Sequence, residues 1–414
     1  MDDLDILNQT SGLLPLDPKY FYYLRYVSSD ANVKIFIFVF SYLSIPVISL
    51  FGIIGNAMTL SVLIRHGFRK SYNIFILALA IADTLFLVGV NNIPRILLLA
   101  DKFGFFYTRA ESLTLYVVFI VQIGMELNGK YMSMIIPTFV AVERFVAVYF
   151  PLHLKSLITC RRARLAVSVL FVSWIPANIY FFMLMRFDYL LNPVSNTSVG
   201  YIMRSDLMLN HANVYKVISG FFFMISGPIP VIVVTAFCVA IGVKIQSIKN
   251  QRRHLKNYTT IVYFSNYVQC AGKNATLDIY PKNEHITYQQ TPNTKYNCEK
   301  SSTLEHRNEK NIKFPMTSNG AVKIDHRQKE SVSQTTITLF SMCVVYAVIV
   351  TASSLPSIIL NRNNWESDTG ALVELSTQLA VCINCSSNFL IYVTMNKSFR
   401  TTLKQILSFT ENGR

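Results

Sequence analysis

The sequence predicts an all-α fold, a bundle of seven membrane-crossing helices followed by a short helix lying on the membrane surface. Three observations carry this. Of 414 residues, 52% are hydrophobic and only 15% charged, too little polar surface for a soluble chain of that length. The apolar residues come in long blocks, and about 20 of them cross a ~30 Å hydrocarbon core. Seven such blocks lie near 36–64, 73–100, 113–147, 164–186, 214–244, 335–361 and 370–395. The net charge of +15 is also unevenly placed.

That charge sets the orientation. Arg65, Arg69 and Lys70 follow the first block; Lys155, Arg161, Arg162 and Arg164 follow the third; Lys397, Arg400 and Lys404 follow the last. The alternate loops carry Asp101, Glu111, Glu366 and Asp368. Basic loops stay cytoplasmic, so residues 1–34, opening with Asp2, Asp3 and Asp5, are expected outside the cell and residues 396–414 inside. The basic excess is thus a matter of topology, and a nucleic-acid partner is not expected. No cleavable signal peptide is read at the start; the first span is expected to serve as its own signal. Sequons at Asn8 and Asn196 fall on outer segments and are expected to be glycosylated, whereas those at Asn257 and Asn274 fall inside.

Cys160, Cys238, Cys270, Cys298, Cys343, Cys382 and Cys385 all fall in spans or on the inner side. Disulfides rarely form there, so none is expected. Residues 246–334, rich in Asn, Lys, Thr, Ser and Gln, are expected to form a long disordered cytoplasmic loop inside the 35–395 domain. After the last span, Phe399, Leu403, Ile406 and Leu407 recur at helical spacing with basic residues on other faces, as in an amphipathic helix at the inner membrane surface.

Polar residues inside apolar spans are functional candidates by default. Asn56 lies in the first span, Asp83 in the second within "LALAIADTLFL", and Glu143-Arg144 at the end of the third. Trp174 lies in the fourth, Pro228 and Pro230 in the fifth, Pro356 in the sixth, and Asn384, Asn388 and Tyr392 in the seventh. An ionised Asp83 in hydrocarbon needs partners. Ser133 lies three helical turns before Arg144, and Asn384 and Asn388 share one face of their helix. Glu126 and Lys130 are spaced i, i+4 with the acid first, the better order for a helical ion pair. Either they form a self-paired structural dyad or Glu126 touches a ligand. Arg95 and Glu374, near the outer ends of the second and seventh spans, would extend such a charged pocket; single charges at helix ends also snorkel.

In this order and spacing the motifs resemble those of the rhodopsin-like (class A) G-protein-coupled receptors, over all seven helices. "VERFVAV", "FPLHLKSLIT" and the proline-less "NCSSNFLIY" pattern are similar to invertebrate peptide receptors and to the molluscan chemosensory branch. The resemblance implies an extracellular peptide or small-molecule ligand, a heterotrimeric G protein as partner, a receptor kinase and arrestin as further partners, and a plasma-membrane location. It assigns the activation switch to Glu143, Arg144, Phe145, Leu152, Pro356, Asn388 and Tyr392. It places a sodium ion, an allosteric modulator, among Asp83, Ser133, Asn384 and Asn388, with Asn56 beside them; the alternative is a water-filled polar network. No other cofactor is implied. The chain also departs from the family pattern. Phe145 replaces a tyrosine, Phe389 a proline, Ser354 a tryptophan, and Phe119, 25 residues before Arg144, a cysteine. Thr336 stands where the sixth helix usually carries an acid.

Other classes fit poorly. There is no His-Glu-x-x-His, Gly-x-Ser-x-Gly or phosphate loop to support an enzyme. A polytopic transporter or channel is the alternative, but no internal repeat or paired broken helices suggest one. No lysine lies within 370–395 to hold a light-absorbing Schiff base.

Overall fold

The computed structural model describes residues 31–68, 70–100, 104–105, 107–192, 197–270, 337–352 and 368–411. Asn8, Asn196, Thr336 and Pro356, and most of the 246–334 segment, lie outside these. The chain forms two units, Met1–Lys244 with Glu330–Arg414, and Ile245–Lys329.

The first unit is built of helices whose irregularities trace to proline and glycine. Helix α1 runs as Ala31–Phe38, a π segment Val39–Ser44, and Ile45–His66. Pro46 has no N–H to return to the preceding turn, which accounts for the wider π turn just before it. Helix α2 runs Ser71–Val90 and resumes as Ile93–Ala100. Asn92 caps the second piece, its Oδ1 accepting the Arg95 N–H at 2.9 Å, with Pro94 in the first turn where its missing N–H costs nothing. Helix α3, Arg109–Tyr149, opens on a capping box between Thr108 and Glu111. At 41 residues it is about 60 Å long. Helix α4 comprises Cys160–Ser173 and Ile175–Met183 around Trp174. Helix α5 comprises Ala212–Ser226 and Pro228–Cys270, parted at Gly227. Of α6, Ile337–Ala352 is described. Helix α7 is Asp368–Met395 and α8 is Lys397–Glu411.

Among the described residues, six helices are long and apolar enough to cross a membrane, and the described part of α6 is a shorter apolar helix. The architecture is the expected seven-helix bundle. Two features differ from expectation. The helix of α5 continues to Cys270, well into the segment read as a disordered loop. No Gly or Pro occurs between Val243 and Cys270, and extending an existing helix avoids the nucleation cost. The fourth span ends at Met183, after which Met185–Asn192 (β2) and Thr197–Arg204 (β3) form an antiparallel hairpin, with Gly104–Phe105 (β1) paired to β3.

Helices α2 and α3 meet backbone to backbone. A Cβ on Gly129 would overlap the Phe86 backbone, and one on Gly89 the Glu126 backbone. Small residues at helix crossings serve this close approach in membrane bundles. The main core then fills from Phe86, Leu87, Met132, Ile136 and Val140, all buried. A second, smaller core joins α3 to the hairpin through Phe119, Ile123, Met185 and Ile202.

Candidate functional site

Polar side chains gather at three levels of the bundle. At the level of the hairpin, Glu126 on α3 accepts hydrogen bonds from Arg95 on α2 (Nη1 to Oε2, 3.1 Å) and from Gln378 on α7 (Nε2 to Oε1, 3.2 Å). Arg95 also donates to the Val90 carbonyl at 2.7 Å. Three helices are thereby joined at one carboxylate, with both charged side chains largely buried. Of the two readings of Glu126, the self-paired dyad with Lys130 gives way to this arrangement. Lys130 is half-buried one turn along and forms no ion pair among the described residues. The rigid planar fork of the arginine bonds a carboxylate and a carbonyl at once, with less side-chain freedom to lose per bond than a flexible ammonium. Glu374 lies on α7 one turn from Gln378. Gln378 has no sequence signal beyond being polar in an apolar helix, and it was not among the residues expected there.

Midway along the bundle, Asp83 is fully buried. Ser133 donates to its Oδ1 at 2.5 Å and Asn388 to its Oδ2 at 2.8 Å. The Ser133 hydroxyl is 3.4 Å from the Cys385 sulfur, and Asn56 Nδ2 donates to the Cys385 carbonyl at 3.4 Å. Asn384 is buried on the same helix, one turn before Asn388. The structure thus joins Asp83, Ser133 and Asn388 directly and ties Asn56 to α7 through backbone. The carboxylate and hydroxyl oxygens fit a small hard cation, while the Cys385 sulfur is a soft, poor ligand for one.

At the end of α3, Glu143 and Arg144 are both buried, with 2% and 6% exposure. Arg144 Nη2 is 3.3 Å from Glu143 Oε1. The same oxygen accepts the Ser71 hydroxyl at 2.5 Å, and the guanidinium lies 5.0 Å from the centre of the Tyr72 ring. Phe145 turns the other way and packs on Phe237 of α5 at 4.9 Å. Leu152, in the turn after α3, is 91% exposed. Helix α6 is held by two tyrosines. Tyr346 donates to the Met134 carbonyl on α3 at 2.7 Å, and the Tyr392 hydroxyl lies 3.0 Å from the Met342 sulfur. Tyr346 and Ser71 escaped sequence reasoning, since a tyrosine in an apolar span and a serine at a helix start are both common.

Comparison with known proteins bears on this arrangement. The sequence model of the family described as 7 transmembrane receptor (rhodopsin family) matches residues 55–392. Among curated proteins, galanin receptor 2a of Danio rerio is 32% identical over 126 residues, covering 30% of this chain and 32% of that receptor. Galanin receptor type 2 of Mus musculus is 30% identical over 124 residues, 30% and 31% of the two chains. Melanin-concentrating hormone receptor 1 of Sus scrofa is 28% identical over 131 residues, 31% and 34% of the two. The matched part spans about a third of the length of these relatives.

Proposed function

The chain belongs to the rhodopsin family of seven-transmembrane receptors, and on that premise we propose that it binds an extracellular peptide and activates a heterotrimeric G protein. It is a multi-pass membrane protein and not an enzyme, and membership of this family sets aside the transporter or channel alternative. A peptide ligand is supported by relatives named as receptors for galanin and for melanin-concentrating hormone. The level of Glu126, where α2, α3 and α7 meet, is the binding region. Because Arg95 and Gln378 already neutralise and satisfy Glu126, a simple amine has little to gain there.

The observation that carries the reading is the buried Glu143–Arg144 pair, held at one end of a bundle whose α6 is fastened by Tyr346 and Tyr392. Ligand binding favours the state in which these fastenings open, α6 moves outward and Arg144 turns to the G protein, with Leu152 as a further contact. A sodium ion, where present, would be held by Asp83 and Ser133 and would supply positive charge beside a buried carboxylate. The basic loops favour an outer N-terminus, membership of a receptor family favours the plasma membrane, and arrestin and a receptor kinase are partners of the activated state.

The test is a peptide library applied to cells expressing the receptor with a promiscuous G protein. A peptide that drives nucleotide exchange, and fails to do so through Arg144→Ala at equal surface level, supports the reading. A ligand that binds with no exchange through any G-protein class overturns it.

A further inference from the structure

The switch pair is not self-sufficient. Its single contact of 3.3 Å leaves Glu143 Oε2 and Arg144 Nε buried without a hydrogen-bond partner, whereas a strong guanidinium–carboxylate pair is bidentate. Something else must fix Arg144. The first two residues of α2 answer this. Ser71 donates to Glu143, and the adjacent Tyr72 presents its ring to the Arg144 guanidinium at 5.0 Å. Two neighbours on one helix thus engage two neighbours on another, residue by residue.

We infer that Tyr72 is a positioning residue for the switch, an aromatic clamp that holds Arg144 in the resting state from the second helix. The inference rests on the G-protein reading above. Lys70 also lies 5.7 Å from this ring, but it is exposed and water screens it. Arg144 is desolvated, where attraction to a ring face is strongest. The clamp sits on α2, which meets α3 backbone to backbone through Gly89 and Gly129, so it does not open merely because α6 moves. Release of Arg144 is therefore a separate step, completed when a partner offers the guanidinium better acceptors than a ring face.

The experiment measures ligand-free guanine-nucleotide exchange in membranes, normalised to surface receptor, with thermal denaturation of each purified receptor as a check on folding. Tyr72→Leu keeps apolar volume and removes the ring; Tyr72→Phe keeps the ring. Tyr72→Leu is expected to raise basal exchange about two- to thirty-fold, the span of cation–ring energies, and Tyr72→Phe to stay near wild type. The double variant Tyr72→Leu/Arg144→Ala is expected to show no rise, since the effect acts through Arg144. Equal behaviour of the Leu and Phe variants, or no rise with Tyr72→Leu while Glu143→Gln does rise, overturns the clamp. Silence of Glu143→Gln as well overturns the coupling reading itself and the clamp's role with it.

Discussion

Phe119 stands where the family pattern has a cysteine, and the structure assigns its side chain the work of holding the hairpin to α3. It is fully buried, in a small core with Ile123, Met185 and Ile202, flanked by Tyr116, Phe182 and Phe187. Asn92 reinforces the spot by donating to its carbonyl at 3.2 Å. Truncating a buried phenylalanine to alanine costs about 3–5 kcal/mol. This core is separate from the main one, so the loss falls on opening of the hairpin and not on the whole bundle. Such an opening equilibrium shifts by about two orders of magnitude or more. Amide hydrogen exchange of residues 185–192 and 197–204 in purified receptor reads it directly. Phe119→Ala should speed exchange there by that factor while α2 and α3 amides stay protected, Phe119→Leu should recover most of the protection, and a reductant should leave the wild type unchanged. Hairpin exchange unaltered by Phe119→Ala would refute the reasoning.

Three further outcomes follow from the same geometry. Tyr346→Phe removes the 2.7 Å bond to the Met134 carbonyl; a hydrogen bond of roughly 0.5–1.5 kcal/mol net corresponds to an increase of about two- to tenfold in ligand-free exchange, and an unchanged rate would mean α6 is fastened elsewhere. Arg95→Gln or Glu126→Gln alone strands a buried charge and should lower the denaturation midpoint, whereas the double variant should lower it by less than the sum of the two; strict additivity would show that the pair is not coupled. Expression in cells with Asn8→Gln or Asn196→Gln should each remove a glycan shift on a gel and Asn274→Gln should not; a shift lost only with Asn274→Gln would reverse the orientation.

The bundle was legible because hydropathy blocks and loop charge are set by the bilayer itself, independent of packing detail. Asp83, Ser133 and Asn388 were each legible as a polar group in hydrocarbon, the family resemblance grouped them, and the structure joins them. The partner of Glu126 was not. Local spacing favoured Lys130, but Arg95 reaches it from α2 because Gly89 and Gly129 bring the two helices together, and no single-helix pattern encodes that proximity. The hairpin was missed because Leu184 and Met185 extend an apolar block without a turn residue before them, so the end of the fourth span looked later than it is. The extension of α5 to Cys270 was missed because its polar composition resembles a loop, although nothing in it breaks a helix.

The central claim is that Arg144, restrained by Glu143, is the group through which this receptor acts on a G protein. The most direct measurement is ligand-free nucleotide exchange, at matched surface level, for wild type, Glu143→Gln and Glu143→Gln/Arg144→Ala across a panel of G proteins. Loss of a charged contact of roughly 1.5–3 kcal/mol predicts a rise of about tenfold or more for Glu143→Gln, and a return to the receptor-free background in the double variant. Exchange that stays raised in the double variant would contradict the account, because the switch would then work without Arg144.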